Sequence, residues 1–239
     1  MKLAILVTNT DDSEFARTHA DDGEKFTALV QERRPDWQTE VFWVRDGDFP
    51  EDFSTFDGAM ITGSPASVRG DEAWIGRLLD MIRQMDAARF PVFGACFGHQ
   101  AVAMALGGEV GDNPGGWVHG YVEVTRAAPL PWAEVPERMG LYASHSEQVL
   151  RAPERAQIVA RGPGCGVGGF VIGDHIFTTQ YHPEMSDAFI ADLVEHTAGY
   201  VGPEVTARAR ESLKNRADRE VIAEIIARFF EWSVARREA

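Results

Sequence analysis

The chain has 239 residues, 44% of them apolar and 25% charged, with a formal net charge of −14 and two cysteines. That apolar fraction suffices for a packed core, and an acidic excess spread along the chain excludes the clustered Lys and Arg that nucleic acid or an anionic membrane would need. Cys96 and Cys165 are too few for a disulfide framework and too far apart for a CxxC motif.

The opening run, MKLAILV (residues 1–7), reads as a buried strand of a parallel sheet. Its five apolar residues are too short for a signal-peptide core, and no run reaches the roughly 20 apolar residues that span a bilayer. Localisation therefore reads as cytoplasmic. His19, Asp21 and Asp22 lack a second ligand cluster and read as a polar surface loop. Residues 39–44 (TEVFWV) and 58–62 (GAMIT) are further strands. Residues 72–87 place Trp74, Ile75, Leu78, Leu79, Ile82 and Met85 on one helical face. Strands alternating with helices of this length predict a parallel α/β sheet.

Residues 91–100, PVFGACFGHQ, carry the first cysteine from a short strand into a helix over 97–106, which ends at Gly107-Gly108. Glycines two before and two after Cys96 let the backbone turn sharply, as at a nucleophile elbow. The helix N-terminus favours thiolate, and the Phe97 N–H is free to meet an oxyanion. A buried structural cysteine accounts for the local pattern equally well. Beyond it, Trp117 and His119 lie in a Gly-rich loop, as pocket border or as packing.

After about residue 110 the pattern changes to short strand-like pieces, 121–125, 148–151, 157–160, 169–172 and 176–181, separated by Gly and Pro turns. They predict an antiparallel or mixed extension of the same sheet. Gly164 to Gly169 satisfies GxGxxG, but no helix pattern follows, so it reads as a flexible turn with Cys165 in it. His182 follows the last of these strands, and Glu184 stands two residues on, within reach of the same imidazole. A cysteine nucleophile needs such a histidine, and the histidine a carboxylate to orient it. From Glu204 onward helix formers dominate. Val221, Ile222, Ile225, Ile226, Phe229 and Phe230 predict a long amphipathic helix whose apolar face needs its own domain or a partner.

GACFGHQ and YHPE, in this order and separation, closely resemble the class I (triad) glutamine amidotransferases. Ile61-Thr62-Gly63-Ser64-Pro65 resembles that family's oxyanion loop, which often reads Gly-Gly-Pro. Ser144-His145-Ser146-Glu147-Gln148-Val149 resembles its S-H-x-[DE]-x-V segment, best known from the amidotransferase domain of GMP synthetase. The resemblance implies a flavodoxin-like α/β fold, a mixed, mostly parallel sheet flanked by helices, over residues 1–198, with a C-terminal helical extension at 199–239. It implies Cys96, His182 and Glu184 as catalytic triad and the Gly63 and Phe97 amides as oxyanion hole. Ser64, Gln100, Ser144 and His145 then shape the glutamyl pocket. No metal or cofactor is implied.

The implied reaction is hydrolysis of the glutamine side-chain amide through a γ-glutamyl thioester. No SGGxDS loop follows, so a separate synthetase subunit would receive the ammonia. A free-standing γ-glutamyl amide or peptide hydrolase shares the chemistry and stays open. A redox-sensing or non-catalytic pocket protein would not need His182 and Glu184. The terminal helix leaves a homodimer open beside packing on its own sheet.

Overall fold

The computed structural model describes residues 1–237. Its strands are β1 (Lys2–Val7), β2 (Gln38–Trp43), β3 (Gly58–Ile61), β4 (Val92–Ala95), β5 (Glu109–Asp112), β6 (Val118–Arg126), β7 (Arg138–His145), β8 (Glu147–Arg151), β9 (Gln157–Gly162), β10 (Cys165–Ile172) and β11 (Ile176–Thr179). Nine form one sheet in the order β2-β1-β3-β4-β11-β10-β9-β6-β7. The first five are mutually parallel, and each pairing from β11 to β7 is antiparallel. The mixed flavodoxin-like sheet is therefore present, with its switch of direction at β11.

Strand β1 shows why the sheet needs helices on both faces. Leu3, Ile5 and Val7 enter one core cluster and Ala4 and Leu6 another, all without solvent exposure, because successive side chains alternate across a strand. The helices are α1 (Glu14–Arg17), α2 (Asp22–Gln31), α3 (Ala73–Ala87), α4 (Phe97–Ala105), α5 (Asp187–Val201), α6 (Pro203–Ser212) and α7 (Arg219–Arg237). Phe26, Leu29 and Val30 of α2 pack on the Leu3 face with Ile222, Ile225, Ile226, Phe229 and Phe230 of α7. Ile75, Leu78, Ile82 and Met85 of α3 cover the opposite face with Phe97, Ala101 and Val102 of α4. The apolar side of α7 is thus taken up by its own sheet. Arg34 clamps the helix in place, binding Glu224 at 3.0 and 3.2 Å and Glu231 at 2.5 and 3.0 Å. Among the described residues no helix is long and apolar enough to cross a membrane.

Four expectations change. Residues 148–151 do not extend the main sheet: β8 pairs with β5 in a separate two-stranded sheet. In the Gly-rich stretch 164–169 only Gly164 lies in a turn, the one between β9 and β10; residues 165–169 are strand. Cys165 is buried and opens β10, a bulged strand whose Gly168 leaves room for the Tyr181 ring; a Cβ there would lie 2.7 Å from the Tyr181 hydroxyl. The terminal helical segment is two helices, α6 and α7, parted at residues 213–218. His19, Asp21 and Asp22 are not one surface loop. Asp21 caps α2, accepting the Glu24 amide at 2.9 Å, while Asp22 is buried in its first turn.

Candidate active site

Cys96 stands between β4 and α4 with φ 50° and ψ −104°, a backbone conformation that favours glycine and costs about 1–3 kcal/mol in other residues. Its surroundings impose it. The Cys96 N–H donates to Thr179 O at 2.9 Å, and the Gly98 N–H to Thr62 O at 3.1 Å. Only glycine fits at 98, because a Cβ there would run into the Ile61 carbonyl, 2.9 Å from its carbon. Phe97 is the first residue of α4, where an amide has no intrahelical acceptor.

Strand β11 lies parallel beside β4, with Thr179 opposite Ala95, so the chain leaving β11 passes next to Cys96. His182 lies three residues beyond that strand end, its N–H held by Tyr142 O of β7 at 2.9 Å. Its Nδ1 donates to Glu184 Oε1 at 2.7 Å, and both side chains are buried. Nε2 is buried with no hydrogen-bond partner. Burial disfavours the imidazolium. The charges of Glu184 and Cys96 outweigh it, raising the His182 pKa well above its ordinary value. Gly63, at the end of β3, closes the third side. A Cβ built on it would lie 3.0 Å from His182 Cε1 and 3.6 Å from Cys96 Cβ.

Gln100 and Gln180 connect the sulfur to the start of β8. The Glu147 carbonyl can only accept, so Gln100 presents its Nε2 to it, at 2.9 Å. The same nitrogen meets Gln180 Oε1 at 3.3 Å, which leaves Gln180 Nε2 pointing at Cys96 Sγ, 3.7 Å away. Gln180 was not among the residues singled out from the sequence, although it stands two places before His182 in the motif-bearing stretch.

The other expected pocket residues are placed unequally. Ser64 Oγ accepts the Ala66 amide at 3.1 Å and so shapes the turn after Gly63. Ser144 lies in β7 opposite His119 of β6. His145 is buried; its Nδ1 donates to Glu147 O at 3.0 Å, which leaves Nε2 as an unpaired acceptor. Burial holds its pKa down to about 4, so the ring is neutral. His119 lies inside strand β6 rather than in a loop. It is buried with Nε2 2.9 Å from Thr197 Oγ1, its pKa likewise pushed by burial down to about 4. Trp117 precedes that strand, ring to ring with Tyr200 at 5.8 Å. Cys165 lies apart from this chemistry, with burial raising its thiol to about 11. Asp22 accepts hydrogen bonds from Asn9 Nδ2 and Lys25 Nζ, both at 3.0 Å. Burial raises its pKa, Lys25 opposes the rise and the nearby Glu184 charge adds to it.

Residues 19–188 match the family model described as glutamine amidotransferase class-I. Gamma-glutamyl peptidase 3 of Arabidopsis thaliana is 33% identical over 204 residues, 81% of either chain. The glutamine-hydrolysing GMP synthase of Aeropyrum pernix is 37% identical over 132 residues, 54% of this chain and 24% of that one. Among solved structures, a glutamine amidotransferase from Thermotoga maritima superposes with a TM-score of 0.76 at 19% identity, covering 98% of this chain and 97% of that one.

Proposed function

Since the chain belongs to the class I glutamine amidotransferase family, we propose that it hydrolyses γ-glutamyl amides through a thioester on Cys96. The observation that carries this reading is the convergence of three elements on one point. Cys96 is held at a strained turn, the His182–Glu184 pair stands at the end of the adjacent strand, and Gly63 backs onto both Cys96 and His182.

In the proposed reaction Cys96, as thiolate beside the His182 imidazolium, attacks the γ-carbonyl carbon. The resulting oxyanion accepts hydrogen bonds from the Gly63 and Phe97 amides; such a donor typically contributes about 3 kcal/mol. The C–N bond breaks as His182 Nε2 gives its proton to the departing amine. Glu184 keeps the Nδ1 proton in place throughout. Water, deprotonated by the same Nε2, then cleaves the thioester, releasing glutamate and restoring the Cys96 thiolate beside the His182 imidazolium. Ser64, Gln100, Ser144 and His145 shape the glutamyl pocket. Residues 1–198 hold all of these groups and form the amidotransferase domain, with 199–239 as its helical extension.

The leaving group separates two versions of this function. Similarity to a γ-glutamyl peptidase over 81% of both chains favours a free-standing hydrolase of γ-glutamyl peptides. Glutamine hydrolysis with ammonia passed to a separate synthetase is supported by the GMP synthase match. The test is glutamate release by the purified protein from glutamine and from a panel of γ-glutamyl dipeptides, with Cys96→Ala as control. Turnover on dipeptides that vanishes in the variant supports the first version, and turnover on glutamine alone the second. Activity that persists in Cys96→Ala would remove the thioester mechanism.

A further inference from the structure

Two threonines bind the oxyanion loop from behind. Thr8 is the first residue after β1 and Thr62 the first after β3, and neither has any solvent exposure. The Thr8 N–H donates to Thr62 Oγ1 at 3.0 Å. The Gly63 carbonyl can only accept, so the Thr62 hydroxyl donates to it, at 3.1 Å. Thr8 Oγ1 lies 3.0 Å from both Thr62 O and Gly63 O and 3.2 Å from Thr62 Oγ1; the two carbonyls can only accept, so its proton is directed at them. Thr62 O also accepts from the Gly98 amide of the nucleophile turn.

These bonds fix more than the carbonyls. In a trans peptide the C=O and N–H point in opposite directions, and no peptide among the described residues is cis. Pinning Thr62 O therefore aims the Gly63 N–H, and pinning Gly63 O aims the Ser64 N–H, each away from the Thr8 hydroxyl. The loop whose residue 63 faces Cys96 and His182 thus has its Gly63 amide, one of the two oxyanion donors, aimed by a side chain outside the triad. Resting on the hydrolase reading above, we propose that Thr8, acting through Thr62, is a positioning residue for the oxyanion hole. Its hydroxyl holds the Gly63 amide at the angle that the tetrahedral intermediate requires.

Thr8→Val removes the hydroxyl at nearly constant shape, and Thr8→Ser keeps it. Losing an oxyanion donor outright costs about 10²- to 10³-fold in kcat, and misaiming one costs less. We expect Thr8→Val to lower kcat about tenfold or more with KM for a γ-glutamyl substrate changed less than twofold. Thr8→Ser should restore most of the rate. Alkylation of Cys96 by iodoacetamide reads the thiolate and not the oxyanion hole, so it should proceed equally in all three proteins. If Thr8→Val does not fold, Thr8→Ala against Thr8→Ser carries the same comparison. Full kcat in the hydroxyl-free variant, or a loss that Thr8→Ser does not restore, would overturn the proposal while leaving the hydrolase reading intact. A wild-type protein inactive on every γ-glutamyl amide would overturn both.

Discussion

Gln180 Nε2 donates to Cys96 Sγ across 3.7 Å, in an orientation fixed by Gln100 Nε2 on its own carbonyl. A neutral donor on the sulfur stabilises thiolate over thiol. Gln180→Met, which keeps the volume and removes the donor, should slow alkylation of Cys96 at neutral pH by about fivefold, the effect of roughly 1 kcal/mol. Gln180→Glu would set a carboxylate against the sulfur and should slow it further. Pseudo-first-order alkylation rates across pH check both; unchanged rates would mean that the contact is only packing.

Glu184 and His182 share the shortest contact of the site, 2.7 Å. Removing the carboxylate charge in Glu184→Gln lets burial dominate the imidazole, and its raised pKa should fall. We expect kcat to drop about 10³- to 10⁴-fold. The alkaline limb of kcat, where His182 loses the proton that it gives the leaving group, should move to lower pH. Stability follows the same sign. The native pKa is raised above the unfolded value of about 6.5. The His182 contribution is thus complete below about pH 6.5 and lost as pH rises through the native pKa. Urea unfolding of wild type should weaken across that alkaline window, and Glu184→Gln should weaken less.

The strained turn at Cys96 sets function against stability. Glycine adopts φ 50° without the Cβ cost, so Cys96→Gly should be inactive yet about 1 kcal/mol more stable than Cys96→Ala, which keeps the strain. Denaturant midpoints of the two inactive proteins, compared at equal slopes, measure the difference.

The elements that were legible in the sequence are those whose signal is local. Cys96 sits between two glycines, and Glu184 stands two residues from His182, so elbow and ion pair can be read along the chain. The adjacency of β4 and β11, which brings them together, followed only from the α/β pattern and the family resemblance. Strand β7 gave no recognisable signal. Met139, Leu141, Tyr142 and Ala143 are all buried, so the alternation that marks a half-exposed strand is missing, and Gly140 dilutes the apolar run. Gln180 and Thr8 were missed because their partners lie 84 and 54 residues away from them. Helices α2 and α5 did carry readable start signals, the Asp21/Glu24 capping box and the Ser186 N-cap.

Helix α7 gives a prediction for the extension. Phe230 is fully buried against the sheet, and Phe230→Ala should cost about 3–5 kcal/mol in urea unfolding. Tyr200, 63% exposed, is the contrasting site, where the Ala substitution should stay within about 0.5 kcal/mol.

The same helix sets the timing of biogenesis. Gly58 of β3 lies directly under Phe230, where a Cβ would meet the ring at 2.6 Å, and Leu3 and Ile5 share that cluster. During synthesis the strands around β1 leave the ribosome well before α7, which covers part of their face. The part of that face that α2 does not cover therefore stays open to solvent until residues 219–237 have been made. Nascent chains that stop short of residue 219 would expose an apolar sheet surface, making them natural clients for chaperones and prone to aggregate. Residues 219–237 thus act as a late check: only a chain that includes them can close this core.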